Sequence, residues 1–140
     1  MRRLLLAAAA LTVVATPALA QSAAEPPYQV EWVYKVKYGH EDEWWRIFKK
    51  YQIAILDREK QLGYVTSYKV VRPGLHMSED ARWTYRIEIT YPNYAGSRHE
   101  GEVDRQMFPD RAAEAREDQV RWELTLNHWD LPIHEADPHQ

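Results

Sequence analysis

Apolar side chains recur at two spacings along this chain, and the switches between the two mark its elements. Val30, Trp32, Tyr34, Val36 and Tyr38 alternate with Glu31, Lys35 and Lys37, which predicts a half-buried strand over Gln29–Tyr38. Gly39 breaks it, and Glu41, Asp42 and Glu43 follow, three acids suited to the positive end of a helix dipole. From there Trp44, Phe48, Tyr51, Ile55 and Leu62 fall on one helical stripe, with Lys49, Lys50, Asp57 and Lys60 off it and Gly63 as the stop. Tyr64–Arg72, rich in Tyr, Val and Thr and closed by Pro73-Gly74, reads as a second strand, and period two returns in Arg82–Tyr91. In the latter, Trp83, Tyr85, Ile87, Ile89 and Tyr91 share a face opposite Arg82, Arg86 and Glu88. Ser97 is placed as the cap of a second helical stretch, which Pro109 divides into Ser97–Met107 and Asp110–Asp118. A fourth strand is expected over Arg121–Trp129, and Pro132 and the polar residues after it read as a tail.

The N-terminus carries a different pattern. Arg2 and Arg3, the apolar run Leu4–Ala15 and the triplet Ala18-Leu19-Ala20 before Gln21 form a secretory signal with cleavage after Ala20. The run is short for a retained membrane anchor, and with no cysteine in the chain there is no lipoprotein attachment point. The expected organisation is a signal peptide over 1–20, a disordered lead over 21–28, one α+β domain over 29–131 and a flexible tail over 132–140. The expected location is periplasmic or secreted.

Composition adds two constraints. Removing residues 1–20 leaves 16 basic against 21 acidic side chains, a net charge of −5 with histidines neutral. A mildly acidic surface of mixed sign gives no electrostatic reason to bind nucleic acid, and no stable membrane insertion is expected after cleavage. An exported chain without cysteine also has no disulfides, so its core must hold the fold. Six Trp and nine Tyr against two Phe carry that load, and they bring N–H and O–H groups that need partners.

The element order β-α-β-β-α-β is the split arrangement of a ferredoxin-like domain: a four-stranded antiparallel sheet with helices on one face. The first strand, Gly39 with acids and tryptophans behind it, and the helix ending at Gly63 resemble the dimeric α+β-barrel superfamily. The stretch Pro109…Glu114, Arg116, Gln119-Val120-Arg121-Trp122-Glu123-Leu124 is similar to its exported or uncharacterised members. The resemblance runs from Val30 to Leu131. It implies a homodimer, and the superfamily includes cofactor-independent monooxygenases, haem-degrading enzymes and proteins without assigned activity. No catalytic set of any of these matches residue by residue, so none is carried over.

The candidate chemistry is sparse. His99-Glu100-Gly101-Glu102-Val103 lacks the second histidine of a zinc-protease helix. His128, Asp130, His134, Glu135, Asp137 and His139 lie mostly in the proline-bearing tail, without the rigid frame that closes a metal site, so neither metal nor cofactor is expected. Glu59 sits beside the apolar stripe, where a carboxyl can act as a base or pair with a sheet arginine. Tyr34 and Tyr85 bring hydroxyls to the aromatic inner layer, and His128 shares the fourth-strand face of Trp122, Leu124 and Leu126. Tyr34, Glu59, Tyr85 and His128 are therefore the candidate ligand-binding residues, converging on one cavity between the sheet and the first helix. The same layer also reads as a tyrosine-rich core filled by its own side chains. Three functions stay open: a binder of a small apolar or aromatic molecule, a cofactor-independent monooxygenase-like enzyme, and a non-catalytic interaction domain. The opposite sheet face, with Glu31, Lys35, Lys37, Arg82, Arg86, Glu88, Glu123, Thr125 and Asn127, is expected to be polar and to meet a second copy.

Overall fold

The computed structural model describes residues 25–139. The signal peptide and its cleavage point lie outside the described residues. Four strands, β1 (Tyr28–Val36), β2 (Ser67–Val71), β3 (Tyr85–Tyr91) and β4 (Thr125–Ile133), form one antiparallel sheet in the order β2-β3-β1-β4. Two helical segments, α1 (Glu41–Phe48) and α2 (Ala54–Leu62), follow β1, joined by a π-helical turn over Lys49–Ile53. After β3 come a 3₁₀ turn (Ala95–Arg98), α3 (Glu100–Met107) and α4 (Arg111–Leu124). This is the ferredoxin-like α+β fold.

The core lies between the inner sheet face and the helices. Trp32, Tyr34 and Val36 from β1 and Tyr85, Ile87, Ile89 and Tyr91 from β3 meet Trp44, Phe48 and Leu56 from the helices. Trp44 anchors the layer. Its ring stacks on Phe48 at 4.7 Å and on Tyr85 at 5.0 Å, and its indole N–H donates to Thr125 Oγ1 at 2.8 Å. Gly63 closes α2 with φ 81°, a conformation that side chains disfavour, and lets the Tyr64 N–H return to Glu59 O at 2.9 Å.

The structure departs from the sequence pattern in four places. Leu62, expected in the stripe, is 40% exposed, and Leu56 and Glu59 are buried instead. The π turn spreads more residues over each turn, so everything after it is rotated relative to a straight α-helix; Leu56 turns in and Leu62 turns out. Trp83 is likewise not core, because β3 begins at Tyr85. Thr84 bonds across to β1, donating its N–H to Tyr34 O at 2.7 Å and accepting the Val36 N–H at 3.0 Å, and this breaks the alternation. Trp83 packs instead under the Arg86 guanidinium at 4.4 Å.

The stretch expected to begin a fourth strand at Arg121 is helical as far as Leu124. Asp110 caps α4 by accepting the Ala113 N–H, and Arg121 and Leu124, three apart, bury on one side while Trp122 is 44% exposed. The Thr125 hydroxyl donates to Arg121 O at 2.8 Å and ends the helix. Consequently Trp122 does not share a strand face with His128, and Leu126 faces outward.

The outer sheet face differs accordingly. Glu31, Arg86 and Glu88 are there as expected and Lys69 of β2 joins them, paired as Arg86–Glu31 (3.6 Å) and Lys69–Glu88 (2.8 Å). Its β4 contribution, however, is Asn127, Trp129 and Leu131 rather than Glu123, Thr125 and Asn127. Val33, also on this face, stands opposite Trp129 and is fully buried.

Candidate functional site

The four residues singled out from the sequence all point to the inner side, yet they spread along it rather than meeting at one point. Tyr34 and His128 do meet. They are register partners on β1 and β4, and their rings stack at 4.1 Å with 9° between planes. His128 Nδ1 lies 3.0 Å from Val33 O, and Nε2 lies 3.2 Å from Asp130 Oδ1, so both ring nitrogens are anchored. Burial pushes the Tyr34 hydroxyl well above its usual titration range, with the Arg121 guanidinium pulling the other way. Tyr34 therefore acts as a neutral hydroxyl in an aromatic wall that also holds Trp44 and Phe48.

Arg121 is the residue that the sequence pattern misses. It is only 4% exposed, an unusual setting for an arginine. Asp118 holds its Nε at 2.8 Å and its Nη2 at 2.6 Å, and the guanidinium lies over the Trp122 ring at 4.5 Å. Its Nη1 is buried with no hydrogen-bond partner among the described residues. Reading Arg121 in helical phase with Leu124, rather than on a strand, would have placed it inside.

Glu59 lies toward the far end of the layer, on α2. Its side chain is 0% exposed, and among the described residues neither carboxyl oxygen has a hydrogen-bond partner. Burial pushes its carboxyl up to about 7, and the Glu100 carboxyl on α3 adds to the effect. Glu100 is itself raised, first by burial and then by Asp130 and Asp104, with Arg121 opposing. The Tyr91 hydroxyl is held neutral by burial, with Glu59 and Glu100 reinforcing it. The inner layer thus contains a buried donor without an acceptor, Arg121 Nη1, and a buried acceptor pair without a donor, on Glu59. Each such group costs about 1–3 kcal/mol unless something pairs with it.

Tyr85 belongs to the opposite end. Its ring stacks on Trp45 at 4.8 Å as well as on Trp44, the Arg72 guanidinium covers it at 5.0 Å, and its hydroxyl makes a long 3.4 Å contact to Glu41 O. Six positions of β3 separate it from Tyr91, on the order of 20 Å, so it cannot touch a ligand held by Glu59 alone. Beside it opens a concavity of about 600 Å³ between the Gly39 turn and the loop joining β2 to β3.

No family model matches this sequence, and no curated protein matches it. Solved structures do. One is a dimeric ferredoxin-like protein from an uncultured marine organism, 7% identical over 81% of this chain and 93% of its own, with a TM-score of 0.54. Another is a dimeric ferredoxin-like protein of unknown function from Jannaschia sp. CCS1, 11% identical over 78% of this chain and 99% of its own, with a TM-score of 0.49. A third is a mutant of SnoaB, a cofactor-independent oxygenase from Streptomyces nogalater, 12% identical over 80% of this chain and 97% of its own, with a TM-score of 0.48. At such identities the likeness is one of fold: the ferredoxin-like arrangement.

Proposed function

We propose that the protein is an exported homodimer that binds a small, flat, hydroxylated apolar or aromatic molecule between its sheet and its helices. The observation that carries this reading is Glu59, fully buried on an aromatic layer with both oxygens unpartnered. A ligand hydroxyl donating to Glu59 removes that penalty, and the buried Tyr91 ring, whose hydroxyl feels the Glu59 carboxyl, provides a flat wall beside it. With its carboxyl raised to about 7, Glu59 can take or return a proton near neutral pH. The test is titration with 2-naphthol, followed through tryptophan fluorescence. The wild type is expected to bind, and Glu59→Leu is expected to weaken binding by about tenfold, the loss of one hydrogen bond to a charged group. Equal affinity in the two proteins, or no binding by the wild type, overturns the reading.

The homodimer rests on the outer sheet face, which no helix among the described residues covers. Trp129 and Leu131, both partly exposed, give it an apolar centre, and Arg86–Glu31 and Lys69–Glu88 give it a charged surround. An apolar centre within a polar rim is the anatomy of an interface. Arg86→Glu places an acid beside Glu31 and is felt twice across a two-fold axis, so the variant is expected to sediment as a monomer where the wild type is a dimer. A wild-type monomer at high micromolar concentration refutes the dimer. Export rests on the pattern of residues 1–20, and N-terminal sequencing of the exported protein is expected to begin at Gln21.

A further inference from the structure

The concavity beside Tyr85 is a second place, distant from Glu59. Asp42, on its rim, lies seventeen helical positions before Glu59, roughly 25 Å at the usual rise per residue. Its charged groups fall into two sets. Glu79 is consumed locally: it accepts from Arg82 Nε at 2.8 Å and pairs with Lys35 Nζ at 2.8 Å, while Arg82 Nη1 also donates to Val36 O at 3.0 Å and Thr84 Oγ1 at 3.2 Å. This network fixes the loop after β2 against the end of β1 and makes one wall rigid.

The second set consists of Arg72 on one side and Glu41 and Asp42 on the other. Among the described residues none of the three makes a side-chain ion pair. The Arg72 guanidinium is held over the Tyr85 ring at 5.0 Å, which orients its plane and leaves its N–H edge available for a carboxylate. Arg72, Asp42 and Glu41 line the same concavity, which brings the cation and the two acids to one place. Tyr38 and Leu75, each 88% exposed, and Met77 supply apolar surface along the same groove.

We propose that this groove binds a free amino acid with an apolar side chain. A simple anion would meet Arg72 but be repelled by Glu41 and Asp42, and a simple cation would meet the reverse. A zwitterion satisfies both: its carboxylate lies on Arg72, its ammonium lies on Asp42 and Glu41, and an apolar side chain covers Leu75 and Met77. About 600 Å³ of space accommodates such a molecule with room for water.

The test is calorimetric titration of the purified protein with L-leucine, N-acetyl-L-leucine and L-leucinamide. L-leucine is expected to bind one per chain. The two blocked compounds, each lacking one charge, are expected to bind at least about tenfold more weakly. Arg72→Gln and Asp42→Asn, both at exposed positions, are expected to lower leucine affinity by a similar factor with an unchanged circular dichroism spectrum. No heat with millimolar L-leucine overturns the proposal, as does either blocked compound or the Arg72→Gln protein matching the wild-type leucine affinity. Because 2-naphthol binding is read at Glu59, failure here and failure there are separate results.

Discussion

Phe48→Ala is expected to lower the unfolding free energy by about 3–5 kcal/mol, the range found for emptying an aromatic core site. Phe48 is fully buried at the centre of the layer, with Trp44 at 4.7 Å, Tyr34 at 5.3 Å and Trp45 at 5.6 Å. Large rings on three sides, two stacked and one edge-on, leave little that can move into the space, so the site collapses poorly and the cost lies toward the upper end. Lys49, the next residue, is exposed, and Lys49→Ala is expected to change stability by less than about 0.5 kcal/mol. Chemical denaturation of the two variants beside the wild type measures both. Equal effects would mean that the helix presents a different face to the sheet.

The second large effect is a pH dependence. Glu59 titrates at about 7 in the folded chain against an ordinary value of 4.5. Between those values the folded state keeps the proton and the unfolded state has lost it, so stability falls as pH rises. The stabilising contribution is complete below about 4.5 and is lost by the time pH has passed about 7, and the span corresponds to about 3 kcal/mol. Glu59→Gln imitates the protonated carboxyl. It is expected to match the wild type near pH 4.5, to exceed it by about that amount at pH 8, and to flatten the curve between. Glu100, raised in the same direction, leaves a smaller residual slope in the variant. Denaturant midpoints across this range decide the matter, and parallel curves for the two proteins would mean that Glu59 is paired or hydrated in solution.

How far the sequence reaches depends on whether a signal is local. Alternation in β1 and β3 and the stripe through Trp44, Phe48, Tyr51 and Ile55 arise from each element packing one face, so element order and fold class can be read from the chain alone. The end of α4 could not be, because residues 121–124 suit a strand by their content and are helical by virtue of the Asp110 cap and the burial of Arg121 and Leu124. The π turn has no sequence signature here, and it decides that Leu56 goes inward and Leu62 outward.

Composition and spacing therefore determined a cysteine-free α+β domain with an aromatic inner layer and Glu59, Tyr34, Tyr85 and His128 on it. Tertiary structure alone decided that only Tyr34 and His128 touch, that Arg121 is buried beside them, and that Tyr85 borders a separate groove. Periodicity states which face a side chain takes. The distance between side chains on one face depends on strand register and helix rotation, which only the packed molecule defines.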